Sequence, residues 1–338
     1  MNLKDSKYSK FALVQEMMQT AEVVKNFDPN QTKAITGDIK SAGKLLLTGE
    51  GSSRIFPAKN AIRQALKWGL DLSIFTDGSR QSAQYDLSKL AVFCASNSGR
   101  TKEVVLLAKK LAAMGNDNRF ALTANNDTLL EKECKKTFVL NCGWEQAVAA
   151  TKSVIEQTLF YESILWHIKG IDKTSDCSKL AALIDESLTM PISKEIVDLA
   201  VRAPTIYFAG YNDGVAEELT LKTNEITRKK SDFLEGTYAV HGIEEVMDKN
   251  DIVFVIDPIE EETEKFQEVL VKGVGLKVIA IADRDTPFTT IRVPSAGEMN
   301  PYVFLSAGWN LLVEIGLALG INLDKPERAR KVGNEFIG

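Results

Sequence analysis

LAVFCASNSGRTKEVV, residues 90–105, is the stretch whose reading decides the fold. Residues 90–95 are a continuous apolar run, the pattern of a strand buried on both faces of a parallel sheet, and the run stops at Ser96-Asn97-Ser98-Gly99. From Thr101 the period changes, and Val104, Val105, Ala108, Leu111 and Ala112 recur at helical spacing. Strand, polar turn and helix thus follow one another as in a βα unit. The turn sets the hydroxyls of Ser96, Ser98 and Thr101 beside the N–H groups of a helix start, where the helix dipole favours negative charge. That combination predicts a phosphate site. Ser and Asn are also ordinary helix caps, so the surrounding chain has to decide.

A second unit of this kind lies upstream. KLLLT (44–48) reads as a strand, Gly49-Glu50-Gly51-Ser52-Ser53 as a glycine turn, and residues 55–68 as a helix. If the two strands are neighbours, Ser52 and Ser53 lie beside the hydroxyls of 96–101. Arg54 stands where the third glycine of a dinucleotide fingerprint belongs, which argues against nicotinamide binding. An amphipathic helix is expected over 8–26, and strands over 71–75, 120–123 and 137–140. After Gly143, WEQAVAATKSVIEQTLFYESIL is expected to form one long helix ending near His167, followed by a polar linker over 170–179.

The pattern then begins again, with strands at 205–209, 251–256 and 276–282. Gly49 to Gly210 and Ala95 to Ile256 are both 161 residues apart, an equal offset that reads as an internal duplication. The copies differ where the first carries its hydroxyls, because the second has Asp257-Pro258-Ile259-Glu260-Glu261-Glu262. Carboxylates there would repel a phosphate, so one phosphate site per chain is expected, in the first half.

Composition narrows the partners. With 41 basic and 46 acidic residues the net charge is −5 and no basic block is present, which argues against nucleic acid. The apolar runs read as strand-length and MNLKDSKYSKF lacks the apolar core of a signal peptide, so a cytoplasmic protein with no membrane partner is expected. The four cysteines form no C-x-x-C pair and read as small core residues. With only His167 and His241 in the chain, no three-histidine metal site can form, and neither a metal nor a cofactor is expected.

The duplicated βα unit together with GEGSS, ASNSGRTKE and EQAVAATKS resembles the sugar isomerase (SIS) family, most nearly the isomerase half of glucosamine-6-phosphate synthase. The resemblance runs from about residue 16 to 332. It implies an α/β fold of two tandem SIS-type units, each a parallel sheet flanked by helices in a flavodoxin-like, doubly wound arrangement. The expected divisions are an N-terminal helical segment (1–35), a first SIS domain with the phosphate loop (36–170), a linker and helix (171–200), a second SIS domain (201–320) and a tail (321–338). No glutaminase part precedes the first unit, so glutamine-dependent ammonia transfer is expected to be absent.

Site residues follow from the same likeness. Ser96, Asn97, Ser98 and Thr101 match the family's phosphate loop, with Ser52 and Ser53 as a second set of contacts. Gly51, Glu145, Val148 and Ala150 match positions lining the sugar; Ala150 replaces a hydroxyl residue of the synthase. Glu225 matches the general-base glutamate, His241 the ring-opening histidine and Lys331 the tail lysine that reaches the sugar carbonyl. In the family the histidine comes from the partner subunit, which implies a homodimer.

Moving a proton between C1 and C2 of a sugar phosphate needs one positioned base, and ring opening needs a group that titrates near neutrality. Each residue also has a plain structural reading: Glu225 as a surface helix pair with Lys222 or Lys229, His241 as a half-buried polar residue, Lys331 as a solvated charge. At the level of function, isomerisation of a hexose or amino-sugar 6-phosphate leads. A deaminase or fructosamine-6-phosphate deglycase would use the same groups. A non-catalytic sugar-phosphate sensor is the alternative of another class.

Overall fold

The apolar runs become strands, and each of the two sheets they form is parallel throughout. The computed structural model describes residues 1–328 together with Glu335 and Phe336. The first sheet contains β1 (Lys44–Thr48), β2 (Ser73–Phe75), β3 (Ala91–Ala95), β4 (Arg119–Thr123) and β5 (Lys136–Val139), in the order β2-β1-β3-β4-β5. The second contains β6 (Thr205–Gly210), β7 (Lys230–Glu235), β8 (Ile252–Ile256), β9 (Lys277–Ala282) and β10 (Thr289–Arg292), in the order β7-β6-β8-β9-β10. The two orders are the same, and in both the direction of winding changes between the first and third strands, the place where open α/β sheets bind ligands.

The helices used below are α1 (Ala12–Lys25), α2 (Phe56–Lys67), α3 (Lys102–Ala113), α4 (Lys152–Lys169), α5 (Thr174–Thr189), α6 (Lys194–Arg202), α7 (Val215–Lys222) and α8 (Asn300–Ala318). The chain divides into two compact units. One comprises Met1–Ala21, Gln146–Ala149 and Leu180–Arg328; the other comprises Glu22–Glu145 and Ala150–Lys179, with Glu335 and Phe336. The N-terminal helical segment expected over 1–35 has residues in both units, dividing after Ala21.

In the unit built on the first sheet, strand alternation sends side chains to two cores. Leu46, Val92, Cys94 and Ala121 pack with Val104, Leu107 and Ala108 of α3. On the opposite face Phe93 meets Phe120 at 5.1 Å and Phe160 of α4 at 5.6 Å between ring centroids. Such aromatic pairs are worth about 0.5–1.5 kcal/mol beyond the area they bury. The other unit repeats the arrangement: Tyr207, Ala209, Val253 and Val255 join one core, while Phe208 and Phe254 stack at 5.4 Å.

The equal offset survives in three dimensions. A Cβ on Gly49 would lie 3.0 Å from the carbonyl oxygen of Ala95, and one on Gly210 would lie 3.1 Å from that of Ile256. The same glycine is therefore needed at the same crossing in each sheet, because a side chain there would press on the end of the neighbouring strand.

Three expectations are corrected. The long helix expected from Trp144 begins only at Lys152, since the preceding backbone is bonded to buried carboxylates described below. The linker expected over 170–179 is largely helical, because α5 starts at Thr174. The apolar runs are not all strand-length: the helix over Gly297–Ala318 is long and apolar enough to cross a membrane by length and composition, but it is mostly buried inside the fold, as a core helix is.

Candidate active site

The turn after β3 gathers the three hydroxyls that the sequence pointed to. Ser96 Oγ lies 2.7 Å from Thr101 Oγ1 and 3.5 Å from Ser98 Oγ. The Thr101 N–H donates to Ser96 Oγ at 3.4 Å and the Arg100 N–H to Ser98 Oγ at 3.2 Å. Thr101 is the residue before α3, yet its side chain makes no cap to that helix. The first turn of α3 thus keeps the donor and dipole character that suits an anion.

Gly99 makes this turn possible. Its φ of 62° lies in the left-handed region, and a Cβ there would run into the Thr128 side chain. Thr128 is itself fixed by a reciprocal capping box with Glu131, and the Leu130 N–H donates to the Gly99 carbonyl at 3.0 Å. Along the neighbouring strand, Ser52 is buried, Ser53 is half-buried and Gly51 is exposed with φ 54°. Gln157 of α4 donates to the Ser53 carbonyl at 2.6 Å, which holds the glycine turn against the helix. β1 and β3 are paired, with Thr48 opposite Cys94, so both turns leave the same edge of one sheet as expected.

Glu145 is the hub behind the turn over residues 96–101. Its Oε1 accepts from the Thr151 N–H at 2.6 Å and from Thr151 Oγ1 at 3.1 Å. Its Oε2 accepts from Ser153 Oγ and, at 3.2 Å, from Asn97 Nδ2, which also donates to Ser153 Oγ at 2.5 Å. Two more carboxylates act alike on the same stretch of chain. Glu156 accepts the N–H groups of Asn141 (2.9 Å) and Cys142 (2.7 Å), and Glu16 those of Gln146 and, at 3.2 Å, Ala147. Burial raises the Glu156 pKa while those amides pull the other way. Amides so engaged cannot form helix bonds, which is why residues 144–151 stay irregular. Val148 and Ala150 of that stretch are half-buried, whereas Glu145 is buried with its oxygens turned to protein donors.

The second sheet fills the equivalent position differently. Asp257, at φ 46°, forms an ion pair with Arg284, whose Nη2 also donates to the Pro258 carbonyl at 2.5 Å. A carboxylate and its own cation occupy the corner where the first sheet presents hydroxyls.

Glu225 lies on a π-turn, Thr223–Thr227, that continues α7. Its Oε2 is 2.8 Å from Lys222 Nζ, and that ammonium is 3.3 Å from Glu218 Oε1. Lys222 and Glu218 are fully buried and Glu225 is 25% exposed, so the pairing with Lys222 expected at a surface lies instead in the interior, with one carboxylate reaching the boundary. Burial alone would lower the Lys222 pKa, but Glu225 and Glu218 outweigh it and push it up to about 12. His241 is exposed after the short turn Tyr238–Val240, with Nε2 3.3 Å from Lys265 Nζ. Lys331 lies outside the described residues.

Two residues around Glu225 escaped the sequence reading. A lysine three positions from a glutamate looks alike on a surface or in a core, and nothing in the letters distinguishes the buried Lys222. Arg228, which donates to the Glu225 carbonyl at 3.1 Å, sits in a charged run that reads as solvated. The cysteines are all free, with Cys94, Cys142 and Cys177 buried and Cys134 half-buried. Among the described residues no group of three or more His, Cys, Asp or Glu side chains is placed to hold a metal ion.

A scan of protein-family models finds no match, and no curated protein sequence matches. Solved structures do match along nearly the whole chain. The C-terminal domain of glucosamine-fructose-6-phosphate aminotransferase from Francisella tularensis is 18% identical, with a TM-score of 0.76 over 95% of this chain and 100% of that one. Tagatose-6-phosphate ketose/aldose isomerase from Escherichia coli is 16% identical, with a TM-score of 0.76 over 96% and 99%. Glucosamine-6-phosphate deaminase from Thermotoga maritima is 21% identical, with a TM-score of 0.71 over 96% and 99%. The resemblance to the sugar isomerase family is thereby borne out, and at these identities what is shared is the fold.

Proposed function

We propose that the chain is an enzyme of the phosphosugar isomerase type, acting on a hexose or amino-sugar 6-phosphate and moving a proton between C1 and C2. The observation that carries this reading is the hydroxyl cluster of Ser96, Ser98 and Thr101 at a helix start that Thr101 leaves uncapped. A phosphate dianion there gains main-chain and hydroxyl donors, and Asn97, Ser52 and Ser53 complete the binding set. The parallel order shared by both sheets agrees with a flavodoxin-like description, with the anion at the switch point of the first.

Glu225 takes the part of the base. Lys222 holds one of its oxygens, which orients the other toward a proton on carbon, and the remote phosphate keeps C1 and C2 from drifting. Removing the proton from one carbon as the carbonyl oxygen gains one gives an enediol, or an enolamine from an amino sugar; the same carboxylic acid then returns its proton to the adjacent carbon as the neighbouring hydroxyl or amine gives one up. His241 opens the sugar ring and Lys331 polarises the carbonyl. His241 is read as donated across a homodimer, for which its exposure leaves room.

A deaminase or deglycase is the second reading, favoured by the shared fold with a structure described as a glucosamine-6-phosphate deaminase. Proton abstraction by Glu225 is common to both, and they part when the amine leaves. Incubation with fructose 6-phosphate, glucosamine 6-phosphate and a fructosamine 6-phosphate separates them: aldose–ketose exchange alone supports the isomerase, and released ammonia or amino acid supports the other. If no sugar phosphate turns over while one still raises thermal stability, the chain is a sensor.

A further inference from the structure

The carbonyls of the turn that carries Glu225 are bonded by the side chain of Arg228. After α7 the backbone widens into the π-turn and stops at Arg228, whose φ of 57° is left-handed and costs a non-glycine residue about 1–2 kcal/mol. Single π-turns of this kind occur often at functional positions. The reversal folds the Arg228 guanidinium back along the chain. Its Nη1 donates to the carbonyls of Glu225 (3.1 Å) and Ile226 (2.7 Å), groups that a helix end leaves without intrahelical partners. Its Nη2 donates to the carbonyls of Asn322 (2.8 Å) and Lys325 (3.0 Å).

The far side of this fork is itself built. Asn322 Oδ1 accepts the N–H groups of Asp324 at 3.0 Å and Lys325 at 3.3 Å, closing a small turn that points two carbonyls at Arg228. Within that turn the Asp324 carboxylate accepts the N–H groups of Ala12 (2.9 Å) and Leu13 (2.8 Å) at the start of α1. The guanidinium therefore joins two irregular pieces of backbone, one of which is anchored to a helix.

From this geometry we infer that Arg228 is a positioning residue, locking the Glu225 turn and the 322–325 turn into one body so that the Glu225 carboxylate keeps a single setting. A planar guanidinium can serve two pairs of carbonyls at once, whereas a lysine offers one point of charge and cannot span both. The inference rests on Glu225 as the base for its catalytic consequence, although the clamp itself does not. Misplacing a catalytic group by about 1 Å costs on the order of 10²-fold in rate, so the effect belongs in turnover and not in phosphate binding.

The test uses Arg228→Lys and Arg228→Ala in the full chain, with turnover of the sugar phosphates, thermal stabilisation by inorganic phosphate, and hydrogen exchange over 223–227 and 322–325. Expected for both variants is a kcat lowered by about 10²-fold, with KM and phosphate stabilisation unchanged and exchange accelerated in the two segments together. Arg228→Lys retaining full kcat, or exchange accelerating in one segment only, overturns the inference. If the unmodified protein turns over none of the sugars while Arg228→Ala still loosens both segments, the clamp stands and the assignment of Glu225 as base is what fails.

Discussion

Lys222 Nζ lies 2.8 Å from Glu225 Oε2, and that single contact joins a wholly buried cation to a carboxylate at the edge of solvent. Glu218 Oε1 lies 3.3 Å from the same ammonium, so one cation serves both carboxylates. Removing the cation would take a counter-charge from both carboxylates, a change that costs about 3–5 kcal/mol in comparable buried pairs. Lys222→Met is therefore expected to lose that much stability in urea denaturation and to lose turnover as well. A variant that kept full stability would show that the cluster contributes little to folding.

The same cluster fixes a pH dependence. The folded-state pKa of Lys222 is pushed up to about 12 from an ordinary 10.5, so folding favours its protonated form. Its stabilising contribution is complete below the ordinary value and fades as pH rises through the folded one. A tenfold change in proton affinity corresponds to roughly 1.4 kcal/mol, which makes the contribution about 2 kcal/mol. Urea midpoints measured from pH 9 to 12 should fall more steeply for the unmodified protein than for Lys222→Met, and parallel slopes would contradict the assignment.

Gly99 offers a test of the proposed phosphate turn. An alanine there meets Thr128 and must also adopt a left-handed backbone, a conformational cost of about 1–2 kcal/mol before any clash is counted. Gly99→Ala is expected to lower the melting temperature and to abolish the further rise that inorganic phosphate produces. Adding Thr128→Ala should recover part of the stability and none of the phosphate response, since the turn remains distorted. Recovery of both would mean that the clash, and not the backbone, governs the site.

How much of this was legible depends on what each residue type reveals about its surroundings. Buried parallel strands announce themselves as apolar runs, so β3 over Ala91–Ala95 and β8 over Ile252–Ile256 lie where the sequence put them. The edge strand β7, KSDFLE, is mostly polar and half-exposed and gives no such signal. Residues 144–151 carry a helix-like composition, and only the buried Glu145 and Glu16 divert their amides, an effect of partners distant in sequence. The hydroxyls of 96–101 were visible because their chemistry is local, whereas the burial of Lys222 and the reach of Arg228 depend on tertiary neighbours.

Glu145 separates a binding role from a supporting one. The sequence likeness places it among residues lining a sugar, yet its oxygens accept from Thr151, Ser153 and Asn97, which tie the 96–101 turn to the start of α4. In Glu145→Gln an amide NH2 would replace one of these oxygens and face donors, leaving at least one buried donor unsatisfied at a cost of about 1–3 kcal/mol. Asn97 would lose its anchor, so inorganic phosphate should stabilise this variant less than it stabilises the unmodified protein. Ser153→Ala removes one donor and keeps the carboxylate, and it should show a smaller change in the same direction. If Glu145→Gln is destabilised while its phosphate response is intact, the turn organises itself and Glu145 serves only the segment leading into α4; if stability holds and only sugar binding is lost, the carboxylate contacts the sugar directly.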